Sequence, residues 1–391
     1  FDAGPSWYLM PDVFKHYFEL LGEDINEHLQ LVRLDPSYQV VFKDTLIGLT
    51  KIRGNLQKDQ STLEALEPRA VEKLEKYLQS SSKQYKIAME RFLYKNYDSI
   101  RDFMTPQMMT EGLKLNVLSN LEKYVSKRFT SKELQKILLY HVVFLGASPK
   151  NAPALYNILS HVDFRQGVYY PMGGIYELTK SLAKVCTDRD VKFHIDSPVS
   201  SINVTDGRAT GVTVSGKNHN ADIVISNADR HFTDTALLAP EYREFTQKSW
   251  KKRTMAPSAL LMYLGVEGQY PELEHHNLVF SKDWNKNFKS IFDKKTLPDD
   301  PSFYVCNPNK TDPSVAPEGY ENIFVLVPLP ATLAYDQKDY DTYAEQILET
   351  MERQLRMPNL RERIVYKKLY TAHDFEADYH SYQGTALGFA H

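Results

Sequence analysis

Cysteine is almost missing from this chain. Its 391 residues include two, Cys186 and Cys306, too few for a disulfide framework, and this points to a reducing compartment. Glycine is scarce where nucleotide sites need it. No two of the 17 glycines stand as G-x-G, so the chain carries neither a GxGxxG turn nor a P-loop. CxxC, HExxH and H-x-x-x-H spacings are missing too, which leaves no patterned metal site, and without GxSxG there is no hydrolase elbow. No apolar run reaches the length of a membrane span. Charge of one sign is also lacking: a net charge of −3 gives no global basic field and excludes a dedicated nucleic-acid binder.

A hydrophobic fraction of 42% and an aromatic fraction of 12% exclude a mainly disordered chain. The length suggests two or three domains with a real core. The chain opens on Phe1-Asp2-Ala3-Gly4-Pro5 with no signal-peptide pattern and closes in an apolar stretch, which reads as a piece cut from mid-domain.

Periodicity predicts a helix over 11–21, with Pro11 in its first turn and Gly22 as its stop. Alternation predicts strands at 29–34 and 38–43 around Asp35-Pro36. From about 60 to 160 helical patterns take over. One helix is expected from Pro68 toward Tyr94, and another from a Thr130/Glu133 capping box to Gly146. Beyond Gly173-Gly174 the pattern predicts a helix at 175–186, strands at 191–195, 198–204 and 221–226, and a hairpin at Asp206-Gly207. Strands are expected again at 259–266, 276–280, 303–306 and 323–327, then a helix near 340–355. The fold class is therefore α+β (mixed α/β), assembled from discontinuous segments.

Seven stretches are candidates for chemistry, each with a plainer alternative. Gly4-Pro5-Ser6, followed by Trp7, Tyr8, Leu9 and Met10, is either a wall beside a flat cofactor or a turn into a buried helix. The glycine pair after Gly167-Val168-Tyr169-Tyr170 precedes a helix whose N-terminus suits an anion or a flavin edge, although such pairs are common. Asn227-Ala228-Asp229 ends an apolar stretch and is either a crevice lining or a polar turn. His373 to His380 collects metal-capable side chains without ligand spacing, and His275-His276 reads as a strand edge. No metal is expected. Lys251-Lys252-Arg253 and the Lys282–Lys295 stretch, with Trp284, Phe288 and Phe292, are a solvated surface or a patch for anionic lipid headgroups.

Four phrases occur in one order: FDAGPSWYLMP from Phe1, GVYYPMGGIYELTKSL from Gly167, DPSVAPEGYENIFVLVPLP from Asp312 and YHSYQGTALG from Tyr379. Over essentially its whole length the chain resembles the bacterial-type phytoene desaturases, FAD-dependent carotenoid desaturases within the flavin amine-oxidase-like superfamily. That family carries a GxGxxG turn before the FDxGP phrase and a further flavin-contacting segment after YxGxAxG. The resemblance thus implies an internal fragment of such an enzyme. It places a partial FAD-binding, Rossmann-like domain at 1–28 and 161–250. Substrate-domain strands fall at 29–58, a helical insertion at 59–160, a substrate sheet at 251–372, and the start of a last FAD segment at 373–391.

By the same resemblance, Gly4, Pro5 and Ser6 line the flavin ring. Val199 lies on the strand at its adenine end, and Asn227, Ala228 and Asp229 follow the second flavin-domain strand. An arginine proposed for acid/base work in some members is replaced here by Gln135, so that role is not carried over. The implied reaction is desaturation of an apolar polyene such as phytoene, by hydride transfer to FAD and proton loss. The implied setting is cytoplasmic and peripheral to a membrane surface. A C30 diapophytoene desaturase or a carotene isomerase is the alternative within the fold. A non-catalytic polyene or lipid carrier is the alternative outside it.

Overall fold

Alternating apolar side chains on long segments make strands, and strands must pair. In the structure, a computed structural model that describes residues 4–43, 49–94 and 119–390 with Asp2, Asn96 and Ser99, they do so in three sheets. Along the chain the strands are β1 (Leu31–Arg33), β2 (Tyr38–Phe42), β3 (Leu49–Ile52), β4 (Tyr169–Pro171), β5 (Val199–Thr205), β6 (Arg208–Val214), β7 (Lys217–Asn220), β8 (Ser258–Glu267), β9 (His276–Phe280), β10 (Phe303–Cys306), β11 (Tyr320–Leu329) and β12 (Ile364–Tyr370). Phe1 and Ala3 of the opening phrase, and His391, lie outside the described residues.

The main sheet has seven strands in the order β12-β8-β11-β10-β9-β2-β3. All its pairs are antiparallel except β2 with β9. β1 pairs with β4, and β5-β6-β7 form a small meander. The two strands flanking Asp35-Pro36 therefore go to different sheets.

Both faces of the main sheet are covered. Tyr38, Val40, Phe42, Leu278, Phe280 and Tyr304 face a helical layer. That layer includes α2 (Gln60–Leu66), α3 (Ala70–Ala88), α4 (Leu121–Ser126) and α5 (Lys132–Leu139), after α1 (Pro11–Leu20) near the start. The alternate residues, among them Val41, Val279, Val305 and Val325, face α7 (Gln337–Gln354), which follows α6 (Tyr176–Thr187). α7 presents Tyr340, Tyr343, Ala344, Ile347, Leu348 and Met351, the 3.6-residue stripe of an amphipathic helix. A sheet covered on both sides reads as continuous apolar strands, which is why 258–329 was legible.

Several expectations need correction. Residues 191–195 and 221–226 form no strand: they have apolar strand character but find no ladder among the described residues. Their side chains stay outside, Ile195 at 76% and Ile225 at 88% exposure. The helix expected from Pro68 begins only at Ala70, with Glu67 extended and Arg69 left-handed, because the residue before proline avoids the helical region. α5 is capped by Ser131, whose Oγ accepts from Leu134 N at 3.1 Å, and not by Thr130. The backbone N–H groups of Thr130 and Ser131 instead donate to buried Glu67 Oε2, each at 2.9 Å. The helix 11–20 and the Gly146 stop, at φ 70°, form as expected.

Glu67 is thus a joint between α2, α3 and α5, with Lys73 as its counter-ion. Burial alone would raise its carboxyl, but Lys73 and the two backbone donors hold it below the usual glutamate range. Its stabilisation is therefore complete above the ordinary glutamate pKa and is lost as the pH falls through the depressed folded value. Glu67→Ala is expected to cost about 3 kcal/mol at neutral pH, read as a lower urea midpoint, and Glu67→Gln to flatten the acid limb of stability against pH.

Candidate active site

The opening loop is tied down from three sides. Asp2 Oδ1 accepts from Gly4 N at 3.2 Å, Tyr170 Oη donates to Asp2 Oδ2 at 3.2 Å, and Asn322 Nδ2 on β11 donates to the Asp2 carbonyl at 2.8 Å. Gly4 needs its freedom here, with φ 80°. Ser6 is buried and hydrogen-bonded to Tyr304, while Pro5 forms an exposed tip. Burial raises the Asp2 carboxyl, against the pull of Gly4 and Tyr170.

The glycine pair serves this loop. A side chain on Gly174 would stand 3.1 Å from Asp2 Cγ, and the residue has φ 101°. Gly173 N already donates to Asp312 Oδ2 at 2.6 Å. An N–H given to a carboxylate is not offered to an anion, so the expectation of an anion site at this turn is corrected: the glycines permit close packing.

Trp7 carries the loop into an aromatic corner. Its indole stacks on His276 at 4.3 Å and lies within 6.0 Å of the rings of Tyr38, Tyr140 and Tyr304. His276 opens β9, between β10 and β2, and is fully buried. The reading of His275-His276 as a strand edge is therefore wrong, because β2 joins the sheet from far away in sequence. His276 Nδ1 meets Tyr304 Oη at 2.6 Å and His275 Nδ1 meets Thr311 Oγ1 at 2.7 Å. Both Nε2 atoms are buried without a protein partner. Burial pushes His275 down to about 3 and His276 well below its usual range, so both rings are neutral. Cys306 lies beside them, within metal-ligand reach, but burial raises its thiol far above the usual range and keeps it protonated.

Against this corner lies an apolar cavity of about 210 Å³, between the sheet and the helical layer. Tyr140, Tyr304, Leu278, Phe280 and Leu326 line it, and Trp284 and Phe288 continue it. The last two also border a surface groove of about 800 Å³ of mixed charge, with Lys132, Lys150, Lys282 and Lys289 beside Glu122, Glu133, Asp283 and Asp293. Sequence reading missed the cavity. Its only signal was the recurrence of aromatics at alternate strand positions, which served equally well as core.

The other candidates go elsewhere. Val199 starts β5 and pairs with Val214 in the meander. Asp229 caps a short turn by accepting from Phe232 N at 3.0 Å, and the turn that follows packs on β5. Asn227 and Ala228 are exposed. These four residues form one neighbourhood on the small sheet, whereas Gly4, Pro5 and Ser6 belong to the large one. In the 373–380 stretch, Asp374 closes a capping box with Thr371 and Asp378 accepts from Tyr370, which are structural duties.

An apolar chamber lined by neutral groups suits an oxidoreductase whose cofactor performs the chemistry. Over residues 1–388 the chain matches the Flavin containing amine oxidoreductase family, and it belongs to that family. It is 40% identical over 392 residues to the carotenoid 3,4-desaturase of Haloarcula japonica, covering all of this chain and 79% of that protein. It is 34% identical over 330 residues to the zeta-carotene-forming phytoene desaturase of Myxococcus xanthus, covering 84% of this chain and 63% of that one. A solved oxidoreductase from Methanosarcina mazei shares the fold at TM-score 0.53 and 15% identity, over 94% of this chain and 74% of that structure. The expected kinship with carotenoid desaturases therefore holds, as does the mixed α/β fold.

The family cofactor is FAD. At the tip of the opening loop Pro5 is exposed, and Asn322 Oδ1, on the residue that holds Asp2, is buried without a donor.

Gly174→Ala should lower the melting temperature more than Gly319→Ala. Both residues have positive φ, but only Gly174 has a close neighbour. A gap of about 1–2 kcal/mol is expected, read by thermal unfolding of the two variants side by side.

Proposed function

We propose that the protein desaturates an acyclic C40 carotenoid, using FAD as hydride acceptor. The apolar cavity beside the Trp7 corner carries this reading: a hydrocarbon offers no polar group, so it has to be bound by shape and apolar contact. Phytoene is the substrate implied by the sequence resemblance. The 40% identity to a carotenoid 3,4-desaturase favours a second reading, a later step on an already conjugated polyene. In this assignment the large sheet and its helical layer bind substrate, while 1–28 and 161–250 serve the flavin.

Substrate access goes with the lysine-bearing side of the surface groove. Lys150, Lys282 and Lys289 surround Trp284 and Phe288 at the point where groove and cavity share walls. Lysines beside aromatics suit anionic headgroups at a bilayer surface. Among the described residues no helix is long and apolar enough to cross a membrane, so contact from one side is the arrangement proposed.

The test uses the complete reading frame, purified with FAD and mixed with liposomes that carry phytoene in one set and lycopene in another. Anaerobic flavin bleaching and a new visible absorption band are expected. Product from lycopene alone selects the later step. Flavin uptake without product from either polyene would leave a carrier as the reading. Filling the cavity with Leu326→Trp should lower kcat/KM about tenfold or more, measured on whichever polyene reacts.

A further inference from the structure

Asp163 is an unusual residue to find in an apolar layer. It is 1% exposed, in the turn Val162–Gln166, and a buried carboxylate is costly unless partnered. Its Oδ2 accepts from Tyr38 Oη at 2.7 Å and lies 3.0 Å from His141 Nε2. Its Oδ1 has no partner. The Tyr140 ring lies 5.3 Å from that of Tyr38 and 3.9 Å from that of His141. Tyr140 also lines the apolar cavity, and Trp7 of the opening loop packs on both phenols.

We infer that Tyr140, Tyr38, Asp163 and His141 form the exit path for the proton removed from the polyene. This rests on the desaturase reading and adds to it the destination of the second hydrogen. Desaturation removes two hydrogens from neighbouring carbons. FAD, when bound, would supply the oxidant that takes one of them as hydride, with both electrons of its bond. The adjacent C–H bond then breaks. Its electron pair becomes the new double bond, and its proton goes to the Tyr140 oxygen. The Tyr140 proton passes to Tyr38, and the Tyr38 proton to Asp163 Oδ2, with His141 beside the carboxyl. Tyr140, on the cavity wall, is the member of the set that would touch substrate, whereas Tyr38, Asp163 and His141 would act through it.

The surroundings favour this route. Burial, with Asp163 nearby, raises both phenols well above their usual range, so they hand protons on and hold no charge themselves. The other phenol on the cavity, Tyr304, leads to His276, which burial keeps neutral and makes a poor proton store. The Asp163–His141 pair lies behind the cavity, joined to Tyr38 by a hydrogen bond of 2.7 Å.

Tyr140→Phe removes one oxygen and leaves the ring. In the FAD-loaded full-length protein it is expected to lower kcat about a hundredfold while KM for the polyene stays within about twofold. Asp163→Asn should do the same, and Asp163→Glu should restore part of the rate. A second readout needs no turnover. Before flavin or polyene is added, the Tyr38 hydroxyl proton should give an exchange-protected NMR signal downfield of the amides, lost in Tyr38→Phe and in Asp163→Asn. Wild-type kcat in Tyr140→Phe, or absence of that proton signal, would overturn the inference. A wild-type enzyme that bleaches no flavin with any polyene would instead overturn the desaturase reading, and the inference with it.

Discussion

The seven-stranded sheet is apolar on both faces, and everything else follows from the need to cover them. Each residue of β2 and β9 is buried, so neither face can meet water. α7 seals one side with a regular helical stripe. The other side is closed by helices from a distant part of the chain, and the closure is incomplete. The remaining gap is the cavity against Tyr140, Phe280 and Leu326. The cavity proposed for the hydrocarbon is thus lined by the same surfaces that stabilise the fold.

Three of the carboxylates buried in and beside this layer tie separate parts of the chain together. Glu67 joins three helices. Asp2 fixes the opening loop to β11 and Tyr170. Asp163 gathers Tyr38 and His141. All three are buried carboxylates, but only Asp163 has a chain of hydroxyls leading to the cavity. The first two are explained by the backbone donors they satisfy. For the third, packing alone supplies no such account, and chemistry does.

Much of this was legible in advance, for particular reasons. The strands between 258 and 329 and the helix after Asp336 show strong periods, and local period is what sequence displays directly. The family phrases located the opening loop and the glycine pair. What failed depended on partners. Residues 191–195 and 221–226 have strand-forming side chains, but a strand exists only in a ladder. Thr130 looked like a cap until Glu67, 63 residues away, took its N–H. His275-His276 looked peripheral because β2, which lies beside it, comes from more than 200 residues earlier.

By itself the sequence determined most of the elements, their apolar faces and the kinship with flavin-dependent carotenoid desaturases, because these are written in residue order and spacing. Only the tertiary structure decided which face meets which, where the cavity falls, and that Tyr38, Tyr140, His141 and Asp163 share one buried corner. Those relations join residues up to 125 positions apart. No local pattern encodes such a meeting, since it arises from the closing of one layer over another.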